Sequence, residues 1–238
     1  MRRALIAALA LLAACSGEKT GVQYGEELFG SSDGFSASPM NPFSCADCHR
    51  TSAEPEAGDD RIVPGAPLFG VAARQRWWGG QSLSLADAVD TCVVYFMRGQ
   101  PLDETSDKAR ALHEYLQSIT PAGSPTDVLP MTVVENVKAI PLGDVTRGAD
   151  LYRRACQYCH GDVHTGDGNI LKRKVILPDV ANDYNRLFPN VPHGLVVTEV
   201  TRHGRFFGVG GTMPFFTTEL LSDEQLGDIL AYLGLPTS

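Results

Sequence analysis

The feature that most constrains this chain is a five-residue pattern, Cys-x-x-Cys-His, that occurs twice. The first copy spans residues 45–49 and the second spans residues 156–160, an interval of 111 residues. In this pattern two thiols add to the vinyl groups of a porphyrin, and the adjacent imidazole becomes a ligand of its iron. A zinc site needs further Cys or His at ligand spacing, and no second cysteine pair completes either copy. The sequence therefore predicts two covalently attached haem c groups.

The predicted haem-binding residues follow directly from the two copies. Thioether bonds are expected from Cys45, Cys48, Cys156 and Cys159, and iron ligation from His49 and His160. The chain has six cysteines, so this assignment leaves Cys15 and Cys92. Each of these two needs an explanation of its own.

Residues 1–14 have the form of a signal peptide. Two arginines precede an apolar run over residues 4–14, which is shorter than the roughly 20 residues that a membrane-spanning helix needs. The run ends in Leu-Ala-Ala-Cys15, which resembles the cleavage box of bacterial lipoproteins, where the cysteine is acylated. The alternative is an ordinary signal peptide that is cut nearby. We expect an exported, periplasm-facing protein, anchored to the bacterial cell envelope by a lipid on Cys15.

The charge balance of the chain is acidic. Asp and Glu number 28 against 20 Lys and Arg, which gives a formal net charge of −8. Removal of the signal peptide takes away two arginines and makes the balance more acidic. This charge argues against nucleic acid as a partner and favours redox proteins that present a basic docking face.

The two motifs lie in two halves of similar order. In each half a short helix leads into the motif, and a proline-bearing loop, a distal segment and an amphipathic terminal helix follow. Ser106 is the predicted N-cap of the first terminal helix, and Ser222 to Gln225 form a capping box for the second. The predicted division is a signal peptide over residues 1–14, a domain over 15–120, a proline-rich linker over 121–143 and a second domain over 144–238.

This layout resembles the class I cytochrome c fold over nearly all of the chain beyond residue 14. The resemblance implies an all-α protein with two tandem cytochrome c-like domains, each a small helical bundle around a haem, whose terminal helices cross. It also implies that the backbone carbonyls of Pro67 and Pro178 accept hydrogen bonds from the iron-ligating imidazoles.

The distal ligand of the second haem is expected in the sequence Gly-Gly-Thr-Met213-Pro. This segment lies between the second motif and the last helix, where the cytochrome c family places its distal methionine. A thioether ligand raises the reduction potential of a haem. We predict Met213 as this ligand, with His203 as the alternative.

Two sulfur-bearing residues compete as the distal ligand of the first haem. Cys92 and Met97 both lie in residues 84–98, which are predicted to form one helix. The internal repeat favours Met97, because it precedes its terminal helix by nearly the same interval as Met213 does. Cys92 is the thiol without a partner, although a buried cysteine often serves as a small apolar side chain.

A family resemblance favours Cys92. The segment from Cys92 to Leu102 resembles the corresponding part of dihaem thiosulfate dehydrogenases and of the sulfur-oxidising SoxAX cytochromes, in which the cysteine is the distal ligand. The resemblance implies that Cys92 binds the first iron, with Met97 as the alternative. Because a thiolate donates more electron density than a thioether, we expect the first haem to have a lower potential than the second.

Two functions are compatible with these residues. An electron carrier that relays single electrons between membrane-associated partners needs nothing beyond the two haems. By resemblance, the alternative is a thiosulfate dehydrogenase-like oxidoreductase with Cys92 as catalytic residue. Arg74 and Arg76 would then attract the anionic substrate, or would instead pair with haem propionates. Trp77 and Trp78 depart from the family pattern. Packed on the first haem, they would close the pocket that a substrate needs, which argues against the enzyme.

Overall fold

The structure is a computed structural model of the chain and describes residues 19–35, 42–170, 176–179, 186–206 and 213–237. Within these ranges the regular structure is helical, and Trp77 and Ser82 form an isolated antiparallel bridge. The prediction of an all-α fold is confirmed for the described residues. None of the helices in the described ranges has the length and apolar character needed to cross a membrane.

The helices follow the predicted order of each half. They are α1 (Gly21–Gly30), α2 (Cys45–Cys48), α3 (Leu85–Thr91), α4 (Asp107–Ser118), α5 (Val145–Ala155), α6 (Gln157–His160), α7 (His193–His203) and α8 (Asp223–Tyr232). Both predicted caps of the terminal helices form. Ser106 Oγ accepts a hydrogen bond from the backbone of Ala109, and Ser222 and Gln225 make the reciprocal bonds of a capping box.

One helix crossing organises each half of the chain. Helix α1 packs against α4, and α5 packs against α8. A glycine makes each crossing close: a Cβ atom added to Gly25 would lie 2.0 Å from the carbonyl oxygen of Ala111, and one added to Gly148 would lie 2.0 Å from that of Asp228. Any larger residue would push the helices apart. The expected crossing of the terminal helices is confirmed in both halves.

The same kind of aromatic pair supports both crossings. The ring centroids of Phe29 and Tyr115 lie 5.4 Å apart with an interplanar angle of 49°, and those of Tyr152 and Tyr232 lie 5.6 Å apart at 51°. Tilted aromatic pairs of this kind stabilise a fold beyond the apolar area they bury. The near-identical geometry shows that the repeat seen in the sequence is also a repeat in three dimensions.

Two apolar clusters fill the two halves. The first is built on buried side chains of α1 and α4, including Leu28, Phe29, Leu112 and Leu116. The second is built on α5 and α8, including Leu151, Leu226, Ile229 and Leu230. The clusters also exchange contacts, since Cys159 and Ile170 pack against the first and Ile62 packs against the second. The two halves are therefore in direct contact, and the predicted domain boundaries stay predictions.

Two predicted helices are interrupted. Residues 84–98 do not form one continuous α-helix, because α3 ends at Thr91 and the chain continues as a π-helical turn over Cys92–Phe96. The predicted helix that leads into the second motif is divided at Cys156, where α5 gives way to α6. Both interruptions lie at predicted haem-site cysteines.

Candidate haem sites

The first motif forms a single capped helical turn. Both the backbone N–H and the hydroxyl of Ser44 donate to Asp47 Oδ2, at 2.7 and 3.0 Å, and the backbone N–H of His49 donates to the carbonyl oxygen of Cys45 at 2.9 Å. Residues three apart lie on the same face of a helical turn. The two cysteine side chains of this motif, Cys45 and Cys48, are therefore presented side by side, with the imidazole directly after them.

The loop after the motif fixes the imidazole of His49. Two backbone hydrogen bonds hold this loop against the motif. The N–H of Gly65 donates to the carbonyl oxygen of Cys48 at 2.9 Å, and that of Leu68 donates to the carbonyl oxygen of Arg50 at 2.7 Å. The ring atom His49 Nδ1 lies 2.7 Å from the carbonyl oxygen of Ala66. A carbonyl can only accept, so Nδ1 carries the hydrogen, and Nε2 keeps the lone pair that an iron ligand needs. The acceptor is thus Ala66, and the expectation of Pro67 is wrong by one residue.

Close packing and burial support a metal-binding state of His49. A Cβ atom on Gly65 would lie 2.4 Å from His49 Cε1, so only glycine allows the loop to approach the ring this closely. Burial lowers the pKa of His49, the backbone bond to Ala66 opposes this, and the nearby charge of Arg74 lowers it further. The imidazole is therefore held neutral, which is the form that binds metal ions.

An apolar cavity of about 320 Å³ opens beside this imidazole. Its walls combine the motif with apolar side chains of several elements: Phe29, Phe43, Leu68, Val71, Leu85, Val89, Val93, Leu112 and Leu116. This volume lies within the roughly 300–1,000 Å³ typical of cofactor pockets. Two adjacent thiols, a neutral imidazole and apolar walls are the features that a covalent haem requires. The residues at the first motif therefore fit haem c.

Both candidate distal ligands of the first haem line this cavity. In an α-helix, residues five apart point about 140° away from each other. The π-helical turn closes with a bond from Met97 N to Cys92 O at 3.2 Å, and its wider turn brings both side chains toward the same side. Met97 is 3% exposed, and burial raises the pKa of Cys92 to about 12. Cys92 and Met97 both stay candidates.

The thiols at the first motif are close neighbours. Burial raises the pKa of Cys45 to about 12, and it raises the pKa of Cys48 as well. Repulsion from Cys159 and from Cys92 adds to the rise at Cys48. The predicted axial thiol and one cysteine of the second motif thus lie within electrostatic reach of the first haem-attachment site.

Trp77 and Trp78 form part of the cavity wall. The indole N–H of Trp77 donates to the carbonyl oxygen of Val71 at 3.2 Å, and that of Trp78 donates to the carbonyl oxygen of Ala88 at 3.2 Å. The rings of Trp78 and Phe96 stack at 6.2 Å. With their polar atoms paired to backbone, both indoles present apolar surface at the cavity, as expected for residues that pack on the first haem.

Segments from outside the first half complete the same cavity. The predicted linker contributes Leu129, Pro130 and Met131, and the segment after Met213 contributes Pro214 and Phe215. These residues were not predicted to line the first site, because no local sequence pattern links either segment to the first motif. The structure shows that the predicted distal segment of the second haem also forms a wall at the first.

The two predicted substrate-binding arginines occupy different positions on this cavity. Arg74 Nη2 donates to the carbonyl oxygens of Pro67 at 2.6 Å and Phe69 at 3.1 Å, so its guanidinium is held by the loop that also orients His49. Arg76 is exposed at the rim, with Nη1 3.5 Å from the carbonyl oxygen of Gly80. Their roles toward substrate or propionates stay predictions.

The second motif has similar local chemistry. Burial raises the pKa of Cys156 to about 12, and burial is also the largest cause of a rise to about 12 at Cys159. The hydroxyl of Tyr152 donates to the carbonyl oxygen of Gly161 at 2.8 Å, which ties the helix before the motif to the residue after His160. Cys156 directly precedes α6 and Cys159 lies in it, so the two thiols lie close together, as covalent attachment of one haem requires. The predicted bond from His160 to Pro178 stays a prediction.

Met213 lies against the second apolar cluster, as does Cys156. The backbone N–H of Met213 donates to the carbonyl oxygen of Gly204, the residue immediately after α7, at 3.1 Å. The preceding Gly-Gly-Thr of the predicted distal segment lies outside the described residues. His203, the alternative ligand, is engaged elsewhere: its Nδ1 lies 2.9 Å from Glu199 Oε1, and its Nε2 contacts the carbonyl oxygen of Val134. This placement favours Met213 as the ligand.

Comparison with known proteins agrees with this chemistry. Residues 143–233 match the family model described as cytochrome C oxidase, cbb3-type, subunit III. The matched range contains the second motif together with Met213. This match supports the predicted c-type cytochrome domain in the second half of the chain.

The solved structures that are similar to this chain include thiosulfate dehydrogenase (TsdBA) from Marichromatium purpuratum in its "as isolated" form. The sequence identity is 17% and the TM-score is 0.39, and the alignment covers 90% of this chain. The chain spans 45% of the length of that protein. No curated protein sequence matches the chain.

Proposed function

We propose that the chain carries two haem c groups and passes single electrons between redox partners of the cell envelope. The observation that carries this proposal is the cavity at the first motif. The family model covers the second half alone, yet the first half has its own thiol pair, its own oriented imidazole and an apolar cavity beside them.

The residues of the chain would perform distinct tasks at each site. Cysteine pairs hold the porphyrin by thioether bonds, and the carbonyl of Ala66 keeps His49 in the orientation and tautomer that bind iron. A bound haem c supplies one-electron exchange at its iron. Apolar walls exclude water, and unequal distal ligands, with Met213 at the second site, would give the two sites unequal potentials.

Two haems per chain is the first point to test. We would express the chain with a periplasmic cytochrome c maturation system and measure haem content by pyridine haemochrome and by mass spectrometry. The proposal requires the mass of two haems. A Cys45→Ser, Cys48→Ser double variant should retain one haem, and a Cys156→Ser, Cys159→Ser double variant should retain the other. One haem or none in the unmodified protein would overturn the proposal.

The proposed location is the periplasmic face of the envelope, with a lipid on Cys15. The signal-like sequence over residues 1–14 and the Leu-Ala-Ala-Cys pattern support it. The acidic balance of the chain supports docking to partners with a basic face. After cell fractionation, a Cys15→Ser variant should be found in the soluble fraction with its haem content unchanged. A variant that stays in the membrane fraction would contradict the lipid anchor.

A second candidate function is the oxidation of thiosulfate. The observation that favours it is the position of Cys92, which lines the first cavity within electrostatic reach of Cys48, together with the exposed Arg76 at the rim. In this reaction a sulfur–sulfur bond forms between two thiosulfate ions to give tetrathionate. The two electrons released would reduce the two ferric haems, one each.

A mixing experiment separates the two candidates. Oxidised protein is mixed with millimolar thiosulfate, the haem absorption bands are followed, and tetrathionate is measured. If thiosulfate reduces the haems of the unmodified protein but not those of Cys92→Ser, and one tetrathionate forms per two electrons, the result supports the enzyme. Haems that stay oxidised in thiosulfate but are reduced by dithionite support the carrier.

A further inference from the structure

The two haem motifs touch each other directly. The hydroxyl of Tyr158 donates to Asp47 Oδ1 at 2.6 Å. Tyr158 and Asp47 are the third residues of their motifs, so each immediately precedes the second attachment cysteine of its own motif. Cys159 also packs against the first apolar cluster, against which Cys45 of the first motif packs as well. The contact therefore joins the two predicted attachment edges.

An arginine of the first half covers this contact. The guanidinium of Arg61 lies over the ring of Tyr158, with its carbon atom 4.7 Å from the ring centroid. Two bonds of 2.9 Å from Arg61 to the carboxylate of Asp59 fix the guanidinium in this position. The carbonyl oxygen of Arg61 accepts from Arg50, the residue that follows His49. This hydrogen bond connects Arg61 to the first motif.

The surrounding backbone makes this contact rigid. The N–H of Ile62 donates to the carbonyl oxygen of Arg154 at 2.8 Å, and Arg154 Nε donates to the carbonyl oxygen of Asp60 at 2.9 Å. Arg153 adds an ion pair to the carboxylate of Asp60. Residues 60–62 of the first half are therefore hydrogen-bonded to the last turn of α5, directly before the second motif.

We propose that Asp47 and Tyr158 are positioning residues that hold the two haem-attachment edges together and so set the rate of electron exchange between the haems. In this exchange the first haem gives up one electron and the second takes it up, with no proton or atom transferred. The hydrogen bond acts through Cys48 and Cys159, whose separation it fixes. Electron transfer between fixed centres slows steeply as their separation grows. The inference rests on the proposed two-haem function.

The test uses the mature dihaem protein and the variants Tyr158→Phe and Asp47→Asn. One electron is injected from a photogenerated flavin semiquinone, and the equilibration between the two haems is followed by transient absorption. We expect a several-fold slower equilibration in Tyr158→Phe, and a similar effect in Asp47→Asn. The EPR signals of both ferric haems should stay unchanged, because no iron ligand is altered. Tyr24→Phe, which removes a hydroxyl on α1 away from the contact, is the matched control.

The possible outcomes separate the inference from the function on which it rests. An equilibration rate equal to that of the unmodified protein in both motif variants, with two intact haems, overturns the positioning role alone. An equal slowing in Tyr24→Phe also overturns it. Absence of a second haem in the unmodified protein overturns the two-haem function instead. A double variant no slower than either single variant supports one shared hydrogen bond as the cause.

Discussion

The ring of Phe215 lies 6.4 Å from that of Trp78 and 6.1 Å from that of Phe96, although Phe215 follows the predicted distal ligand of the other haem site. One short segment therefore carries Met213 toward the second site and closes the cavity of the first. The distal sides of the two sites share a wall, and a change in either must be accommodated by the other.

Removal of this wall should open the first site. We expect Phe215→Ala to bind imidazole or cyanide at the first ferric haem faster than the unmodified protein does, because the aromatic contacts to Trp78 and Phe96 are lost. Stopped-flow absorbance measures the rate. Phe188→Ala is the matched control, since Phe188 pairs with Phe206 and does not line the cavity. Equal acceleration in both variants would contradict a specific barrier at Phe215.

The sulfur ligand of the first haem can be identified with two variants on the same π-helical turn. If Cys92 binds the iron, Cys92→Ala changes the low-spin EPR signal of the first haem, whereas Met97→Leu preserves it because leucine fills a similar volume. Low-temperature EPR of the ferric protein is the measurement. The reverse pattern assigns Met97, and an unchanged signal in Cys92→Ala rejects the thiolate.

A side chain at a crossing glycine, Gly25 or Gly148, should destabilise the protein. We expect Gly148→Ala to lower the free energy of unfolding by about 1–3 kcal/mol or more, because its Cβ would meet the backbone of Asp228. Urea unfolding followed by circular dichroism gives the value. Gly30→Ala is the control, since a Cβ atom at Gly30 has nothing within 4 Å. A Gly148→Ala protein as stable as Gly30→Ala would contradict this account of the crossing.

The ion pair between Arg147 and Asp228, at the crossing of α5 and α8, should make the free energy of unfolding depend on pH in the acid range. The carboxylate of Asp228 is 3% exposed and accepts two bonds from Arg147 and one from the backbone of Asp144, which together hold its pKa below the ordinary value. The ordinary pKa of aspartate is about 3.9. The stabilisation is therefore present above about pH 4 and is lost as pH falls through the lowered native pKa.

Thermal unfolding between about pH 2 and 6 tests this dependence. We expect the melting temperature of the unmodified protein to fall more steeply below about pH 4 than that of Asp228→Asn, which lacks the titrating group. Asp127→Asn, at an exposed position of the linker, should keep the steep fall. Parallel curves for the unmodified protein and Asp228→Asn would show that this carboxylate makes no contribution.

The sequence predicted the features that depend on neighbouring residues. The paired Cys-x-x-Cys-His motifs and the caps at Ser106 and Ser222 are encoded within a few positions, and the structure has both caps where they were expected. The crossings were encoded too, in Gly-Glu-Glu-Leu-Phe29 and Gly-Ala-Asp-Leu-Tyr152, where a glycine precedes an aromatic residue by four positions. That signal was present and was missed.

Other features depend on contacts that no local pattern reveals. The acceptor for His49 is Ala66 because two hydrogen bonds between the loop and the motif set the register of the loop. The π-helical turn at Cys92 adds a residue to a helix whose apolar pattern looked continuous. Phe215 reaches the first cavity only because the two halves pack together. Each of these is a property of tertiary packing.

The bond between Asp47 and Tyr158 joins equivalent positions of the two motifs, 111 residues apart. Equivalent positions meet each other only at the symmetry axis of a two-fold pair. Two identical halves would place two carboxylates there, which repel, or two phenols without a charged acceptor. A carboxylate opposite a phenol is therefore a pairing that requires the two halves to differ in sequence at this position.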